Sequence, residues 1–496
     1  MPHRVTHRRR YRISNDILMV ILDKLNPVTL YRTCQAFDRV YALVKEYKHL
    51  YYKFLLATVG MKDGAASYIG RSPVIRLQVL QSYQSDWPRL IWTDEQKLRV
   101  PITATQVDVS DGFLYYIGIQ SLDLVELPSC RTNRPPSQTR HLRYNTNQSD
   151  SVAIDTLQSL IVTGQAYSGP GGQISLRLKI RNLWNFDKHP KAQSAHYDCS
   201  THIAQPTSNL AIVISGNRVI VSLEFINGLT KHLLLDWSTL QAMWLEEQDV
   251  VFLGSYFLLG VRKIHNKVSL YLYNIFDMRN VTVEREYELP PIWAKCSLRF
   301  GRNSSPSTDT YAPPNALFYS DPSARVLLLT AKKTGSTGNG MHWLFINESF
   351  FRPTSHADRR SVPWSYWSQF CLIKDFLTFS SIGIPQIVGS RVIYLEKDVS
   401  HSTRGHARSR LHTVDFSPHA DILTPPTMTW TFIGRMSQLR PIETHREFPT
   451  STTNGLAVDQ IHATEDNIVV LLENHGDLKP VNVLTFGVPT PRTLRH

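Results

Sequence analysis

The sequence predicts an α+β multidomain chain in which a small all-α module precedes a large all-β domain. Two short amphipathic helical patterns stand near the N-terminus, and from about Lys97 the pattern changes to strand-like runs separated by turn residues. A chain of 496 residues is too long for one simple core, and its 42% hydrophobic residues can fill more than one. The predicted parts are a basic tail, 1–12, a helical module, 13–60, a connector, 61–96, and a β-rich domain, 97–496.

The first helical pattern begins after Ser14 and Asn15. Both have a short side-chain oxygen that can cap a helix by accepting a bond from its first turn. Five apolar residues then recur at the helical period: Ile17, Leu18, Ile21, Leu22 and Leu25. Asn26 can cap again, and Pro27 suits the first position of a second helix, where its missing N–H costs nothing.

The second helical pattern gives one stripe of apolar residues, Leu30, Cys34, Phe37 and Tyr41, and a Tyr/Leu-rich segment, 50–56, follows it. A segment this small cannot bury its apolar faces alone. It is then either a helical hairpin that packs onto its own domain or a module that docks another protein.

The same residues resemble the F-box. An F-box opens with Leu-Pro-x-Glu-Ile/Leu, continues through Ile-x-x-Leu to an Asp/Pro turn and a Leu, and ends near Cys/Val-x-x-x-Trp/Phe. This chain has Ile-Ser-Asn-Asp-Ile-Leu at 13–18, and then Ile21, Leu25, Asn26, Pro27, Leu30, Cys34 and Phe37.

The resemblance continues in the manner of F-box proteins of basidiomycete fungi. Those often carry Leu-x-Tyr-Lys-φ-x-Leu-Ala-x-x-Gly-φ-x-Asp-Gly, and this chain has Leu-Tyr-Tyr-Lys-Phe-Leu-Leu-Ala-Thr-Val-Gly-Met-Lys-Asp-Gly at 50–64. They then carry a helix that ends in x-x-Trp-x-x-Leu-x-Trp, which is matched at 85–92. The F-box pattern followed by these two further motifs is considerably more specific than the F-box pattern alone.

The resemblance implies a noncatalytic substrate receptor of a Skp–cullin–F-box ubiquitin ligase. The module would bind the Skp-type adaptor and through it a cullin scaffold, while the β-rich domain would capture an unidentified protein target. The resemblance places adaptor binding on seven residues: Ile13, Ile17, Leu18, Ile21, Leu25, Pro27 and Leu30. Ser14 stands where the family has Pro, a departure that can weaken adaptor binding.

The connector contains a third helical pattern, from Pro73 to the Pro88 that ends it. Its apolar face holds Val74, Leu77, Leu80, Tyr83 and Trp87. We expect this helix to pack onto the first unit of the β-rich domain and, if rigid, to hold that domain at a fixed distance from the adaptor.

The β-rich domain repeats one pattern seven times. Short closing strands of similar character stand at 122–127, 176–180, 232–237, 270–273, 343–346, 411–416 and 481–486. Uneven loops rich in Gly, Ser, Pro and Asn separate them. Four-stranded units with variable loops fit a divergent β-propeller of about seven blades, in which Asp236-Trp237 resembles the closing strand of a WD-like blade. An array of two-sheet sandwiches is the competing architecture.

The formal net charge of +13 raises the alternative of a basic propeller scaffold that binds nucleic acid or protein complexes without a ligase role. The densest basic cluster lies in residues 3–12, where it can bind phosphate, serve as a nuclear localisation signal or be a solvated tail. No zinc-finger, RNA-recognition or helix-turn-helix signature is present.

No catalytic motif, cofactor or metal site is predicted. The sequence has no Gly-x-Ser-x-Gly elbow, no phosphate-binding Gly-rich loop and no His-Glu-x-x-His, so a propeller hydrolase lacks support. Four histidines near a Ser/Arg-rich loop read as scattered loop residues: His401, His406, His412 and His419. The five cysteines are an odd number, widely spaced and without a Cys-x-x-Cys, and no run approaches the roughly 18 apolar residues needed to cross a bilayer. These features predict a cytoplasmic and/or nuclear protein.

Overall fold

The computed structural model describes most of the chain. The described residues are 13–64, 72–136, 138–144, 149–168, 173–201, 203, 207–305, 315–333, 340–351, 360–376, 382–397, 409–417, 431–432 and 441–487. The basic tail, 1–12, and three of the four predicted loop histidines (His401, His406 and His419) lie outside them.

Four α-helices form the N-terminal module: α1 Asn15–Lys24, α2 Pro27–Ala36, α3 Asp38–Glu46 and α4 Lys48–Thr58. Both predicted caps are confirmed, since Ser14 accepts a bond from the Ile17 N–H and Asn26 accepts one from the Thr29 N–H. The prediction of one continuous second helix through Leu30, Cys34, Phe37 and Tyr41 was wrong, because two helices, α2 and α3, occupy this stretch. The chain is extended at Phe37, so α2 ends there and Phe37 is 60% exposed instead of packing in the stripe.

The connector begins with a short strand, β1 Met61–Asp63, and continues as α5 Pro73–Asp86. The predicted helix is therefore confirmed, with Ser72 as its cap and Pro73 at its first position. Leu77, Leu80 and Tyr83 are buried along one side of it.

Strands make up nearly all of the remaining regular structure. They are β2 Asp94–Pro101, β3 Gln106–Ser110, β4 Phe113–Ile117, β5 Ser121–Glu126, β6 Arg140–Arg143, β7 Ser149–Asp155, β8 Leu160–Ser168, β9 Ile174–Asn182, β10 His196–Ser200, β11 Thr207–Ser215, β12 Arg218–Phe225, β13 Thr230–Asp236, β14 Ala242–Leu245, β15 Asp249–Phe252, β16 Phe257–Ile264, β17 Lys267–Asn274, β18 Thr282–Glu288, β19 Cys296–Phe300, β20 Phe318–Ser320, β21 Val326–Lys333, β22 Met341–Asn347, β23 Ser361–Val362, β24 Cys371–Phe376, β25 Gln386–Val388, β26 Arg391–Lys397, β27 Ser409–Asp415, β28 Thr431–Phe432, β29 Ile442–Glu447, β30 Val458–Ala463, β31 Asn467–Leu472 and β32 Leu478–Thr485. Within the described residues, two short α-helices, α6 Trp364–Trp367 and α7 Thr450–Thr453, and four 3₁₀ turns lie between them.

These strands form a seven-bladed β-propeller. The first six blades are antiparallel sheets ordered β3-β4-β5-β6, β7-β8-β9-β10, β11-β12-β13-β14, β15-β16-β17-β18, β19-β21-β22-β24 and β25-β26-β27-β29, with β23 and β28 added at the edges of blades 4 and 5. First strands of neighbouring blades contact each other around the ring, as β7 does with β11 and β15 with β19. The predicted propeller is confirmed, and the sandwich array is excluded.

The seventh blade closes the ring with strands from both ends of the chain. Its order is β30-β31-β32-β2, so the strand that follows α5 becomes the outer strand of the last blade. This strand begins at Asp94, slightly before the predicted domain start at Lys97. Closure of this kind leaves few exposed strand edges.

The seven recurring strands of the sequence are the third strands of their blades, not the closing ones. In blades 2 to 6 each ends at a side chain that accepts a bond from the backbone N–H two residues later, an Asx turn. The accepting residues are Asn182, Asp236, Asn274, Asn347 and Asp415. The turn starts the loop to the fourth strand, which explains why a Trp-Asp-like signal marks this position.

Candidate functional site

The N-terminal module exposes six large apolar side chains, which we call together the α1 surface: Ile13, Ile17, Val20, Ile21, Val28 and Phe37. Ile17, Val20 and Ile21 share one face of α1 by their helical spacing. Ile17 is 58% exposed and Val20 is 64% exposed. Monomeric proteins rarely leave several large apolar side chains exposed together on one small module, and such groups mark sites where another molecule binds. The side chains carry no acid, base or nucleophile, so this surface suits docking and not catalysis.

The seven predicted adaptor-binding residues divide between this surface and the module core. Ile13, Ile17 and Ile21 are exposed, while Leu18, Leu25 and Pro27 are half-buried. Leu30 is fully buried at 0% exposure, which corrects its place in the set: its side chain packs inside the module.

Sequence reasoning missed Val20, Val28 and Phe37. Val20 and Val28 fall off the apolar stripes, and residues off a stripe are expected to be polar and to carry no function. Phe37 was assigned to a buried stripe because the break between α2 and α3 was not recognised. The available signal was Asp38, a residue favoured in the first turn of a new helix.

Hydrogen bonds hold the first helix in place. The Arg39 guanidinium donates to the Ile13 carbonyl oxygen at 2.9 Å and to the Asn15 Oδ1 at 2.7 Å. At the other end, the Lys53 ammonium donates to the Asp23 carbonyl oxygen at 2.7 Å. The α1 surface is therefore carried by a helix that is tied to α3 and α4 at both ends.

The module is joined to the propeller through α5 and the turn that follows it. The Trp87 ring stacks on Phe486 of blade 7 with ring centroids 4.0 Å apart, and Trp87 is fully buried. Tyr83 donates its hydroxyl to the Glu465 carbonyl oxygen at 2.8 Å and accepts a bond from the Arg391 guanidinium at 3.0 Å. Burial raises the pKa of Tyr83 to about 12, so its hydroxyl stays neutral and keeps its proton for this bond.

Two buried arginines extend this junction. Arg391 of blade 6 pairs with Asp415 at 3.0 Å. Arg131, from the loop between β5 and β6, lies 2.6 Å from the Glu465 carboxylate and 3.0 Å from that of Asp466, and it donates to the Phe318 carbonyl oxygen. Because paired buried charges tolerate little displacement, they fix the geometry of the junction.

A strand pair forms the second connection. β1 pairs antiparallel with β20, which lies in the long connection between β19 and β21 of blade 5. Tyr52 of α4 donates to the Leu317 carbonyl oxygen at 3.0 Å. Gly64 must be glycine here, since a Cβ would collide with the Ala316 carbonyl group.

The module thus lies on blades 5, 6 and 7, with one loop of blade 1. The expectation that the connector helix packs onto the first blade was wrong. Its apolar residues share one core with Leu317, Val388, Ile393 and other residues of the last three blades. The physical reason is ring closure, which places the residues that follow α5 in blade 7.

The other residues that drew attention in the sequence serve the fold. His412 stacks on Tyr394, with its Nε2 2.8 Å from the Glu396 carboxylate. Within the described residues no three or more His, Cys, Asp or Glu side chains are grouped as a metal site. In the described part of the chain no helix is long and apolar enough to cross a membrane.

Solved structures with some likeness to this chain include a WD40 domain and a β-propeller domain. The WD40 domain of SCAP from fission yeast is 7% identical, with a TM-score of 0.37, over 79% of this chain and 83% of that one. The β-propeller domain of the Trilobed protease from Pyrococcus furiosus is 10% identical, with a TM-score of 0.32, over 65% of this chain and 77% of that one. The tricorn protease is 11% identical, with a TM-score of 0.28, over 76% of this chain and 35% of that one. No protein-family model matches the chain, and no curated protein matches it.

Proposed function

We propose that this protein is a noncatalytic receptor that joins two other proteins. The N-terminal module binds a Skp-type adaptor of a cullin ubiquitin ligase through the α1 surface, and the propeller binds a protein target. The observation that carries the proposal is the exposed apolar α1 surface on a helix tied at both ends.

The junction supports this role because it fixes the distance between the two binding sites. Stacked Trp87, the Tyr83 bonds and the buried Arg391–Asp415 pair hold α5 against the propeller, and the pairing of β1 with β20 holds the end of the module there as well. A receptor acts by raising the local concentration of one partner near the other, and a rigid connection preserves that gain.

The proposal is tested by a pull-down of the full chain with a purified Skp-type adaptor. We expect wild type to bind and Ile17→Asp/Ile21→Asp to lose binding, because two carboxylates would be desolvated against the apolar partner. Ile292→Asp is the matched control, since Ile292 is exposed on the propeller.

Folding of each variant is checked by thermal melting. A folded wild-type chain that does not bind the adaptor would refute the ligase role and leave the alternative of a basic propeller scaffold without one. Equal binding by wild type and the double variant would show that the α1 surface is not the docking site.

A further inference from the structure

The turns of the propeller lie on two opposite faces, and the module covers part of one of them. Its contacts fall on turns between first and second strands, at Leu317 in blade 5, Val388 in blade 6 and Glu465 in blade 7. Successive turns of an antiparallel blade alternate between its two ends. The turns between second and third strands and the connections between blades therefore lie opposite the module, on what we call the distal face.

Exposed aliphatic side chains recur in or beside the turns of the distal face. Ile226, in the turn between β12 and β13, is 70% exposed, and Ile292, in the connection from β18 to β19, is 72% exposed. Turn positions are normally taken by Gly, Asn, Asp, Ser or Pro, and an exposed isoleucine there adds no buried area to the fold. The other members of this set are Ile102, Ile119, Leu229, Ile264 and Ile384.

The face that carries the module differs in this respect. In its described turns and connections, the large apolar side chains that the propeller exposes are aromatic: Trp184, Tyr256, Phe276 and Tyr366. The exposed isoleucines and leucine of the turns are thus collected on the distal face. Scattered single apolar residues are usual on a protein surface, whereas a collection on one face indicates that another molecule binds there.

Exposed lysines lie on the same face in blades 4 and 5. They stand at strand ends and in the connection that contains Ile292, so they flank the exposed isoleucines of these blades. The lysines are Lys263 near the end of β16, Lys295 before β19, and Lys332 and Lys333 at the end of β21.

The charges of two of these lysines meet near the start of β19. Burial raises the pKa of the Cys296 thiol, and the positive charges of Lys333 and Lys263 act against that rise. Both ammonium groups therefore lie close enough to Cys296 to influence it, although Lys263 belongs to blade 4 and Lys333 to blade 5. The lysines form one basic region across two blades.

The carboxylates nearby leave this region positive. Glu286 and Glu288 both pair with a further lysine, Lys267, at 3.0 and 2.9 Å. Glu246, in the connection from β14 to β15, adds an exposed negative charge. Among the described residues of this part of the distal face, the lysines still outnumber the carboxylates that no basic group neutralises.

The arrangement of the apolar residues favours a bilayer as the partner. They come from separate turns, so a rigid protein partner would need a matching pocket for each of them, whereas a bilayer takes up apolar side chains at any position along its surface. Anionic headgroups attract lysines, whose long aliphatic stems can lie in the interface while the ammonium groups stay in water. Apolar side chains beside basic ones are the combination by which proteins bind a membrane without crossing it.

We propose that the distal face binds the surface of an anionic lipid bilayer. The exposed aliphatic residues of blades 3 to 5 enter the boundary between headgroups and acyl chains, and Lys263 and Lys333 contact the headgroups. The inference goes beyond the proposed function and does not depend on it. Because the module lies on the opposite face, the α1 surface stays accessible to an adaptor while the distal face is bound.

The test is co-flotation of the full chain with vesicles of phosphatidylcholine, either alone or with about a third of phosphatidylserine. We expect about tenfold more protein to float with the anionic vesicles, because their negative surface potential attracts the lysines. Raising the salt concentration should reduce this difference, since the charges are exposed to solvent.

Two double variants locate the contact. Ile226→Ser/Ile264→Ser removes apolar side chains without changing the charge, and we expect about tenfold weaker flotation with anionic vesicles. Lys263→Gln/Lys333→Gln keeps the apolar residues and should reduce the difference between the two kinds of vesicle. All four residues are exposed, and thermal melting checks that each variant is folded.

The matched control is Tyr256→Ser/Phe276→Ser, which removes two exposed apolar side chains from the opposite face and should leave flotation unchanged. The basic tail, 1–12, is present in every variant, so flotation caused by the tail alone would be equal in all of them. That result, or no flotation of wild type with either kind of vesicle, would overturn the inference.

Analytical ultracentrifugation distinguishes a bilayer from a second copy of the chain. A wild-type dimer that does not float, and that becomes a monomer in Ile226→Ser/Ile264→Ser, would overturn the inference and identify the distal face as a contact between copies. The adaptor pull-down separates these results from the ligase role. A chain that binds the adaptor but does not float refutes only membrane binding, and one that floats but binds no adaptor refutes only the ligase proposal.

Discussion

The first and fifth helices begin in the same way and end in different surroundings. Each is capped by a serine whose hydroxyl accepts a bond at 3.4 Å from the N–H three residues later, in Ile17 and Ile75. In α5 the apolar residues Leu77, Leu80 and Tyr83 are buried, yet in α1 only Leu22 is. An apolar helix face predicts that something covers it, but not whether the cover comes from the same chain.

The difference arises from position in the chain. α5 is followed by β2, which must join blade 7, so the helix is held against the propeller and its apolar face is covered there. α1 is bonded to α3 through Arg39 and to α4 through Lys53, and it keeps one apolar face exposed. The comparison predicts large stability effects at α5 and small ones at the α1 surface.

The largest effect is expected for Trp87→Ala. Trp87 is fully buried and stacks on Phe486, so its removal leaves a large cavity and should destabilise the fold by about 3–5 kcal/mol. The measurement is chemical unfolding followed by tryptophan fluorescence. Trp184→Ala, at an exposed position, is the control, and a similar loss in both variants would contradict the buried junction.

A slightly smaller effect, about 3 kcal/mol, is expected for Arg391→Met. The change leaves Asp415 buried without its cation and removes the bond to the Tyr83 hydroxyl. Asp415 keeps its bond from the Ser417 N–H, which limits the loss. The double variant Arg391→Met/Asp415→Leu should recover part of the stability in the same unfolding assay, and no recovery would argue against a charge effect.

Asp155, the last residue of β7 in blade 2, gives a pH test of the propeller. Its pKa is raised from 3.8 to about 6 in the folded protein, so the folded state holds the proton more tightly than the unfolded state. Stability from this proton is present at low pH and is lost as the pH rises through about 6. Wild type should therefore lose about 1–2 kcal/mol relative to Asp155→Asn between pH 5 and pH 7.

Unfolding of both proteins at the two pH values checks this. A stability difference that stays constant with pH would show that Asp155 does not titrate in this range.

The smallest effect on stability is expected for Ile17→Asp. Its side chain is 58% exposed, so the change should alter unfolding free energy by no more than about 0.5 kcal/mol while it weakens adaptor binding. Leu22→Ala, five residues further along α1 at a buried position, should cost about 2–5 kcal/mol. Equal losses in the two variants would mean that Ile17 packs inside the module.

Much of the local structure could be predicted because it depends on neighbours in the sequence. The caps at Ser14 and Asn26, the helix that starts at Pro73 and the seven third strands were all found from residue pattern. Of the α1 surface, the three exposed isoleucines were named in advance. The pattern did not reveal that Phe37 is exposed. The same spacing of apolar residues arises from one continuous helix and from two helices with a break between them.

The sequence by itself determined that helices precede a sevenfold series of strands, since helical and strand periods and capping bonds act over a few residues. The tertiary structure decided where the module lies, which apolar face stays exposed and how the ring closes. Those outcomes depend on contacts such as the bond between Tyr83 and Glu465, which are 382 positions apart in the chain. No local pattern encodes such a pair, because the two residues become neighbours only when β2 completes the last blade.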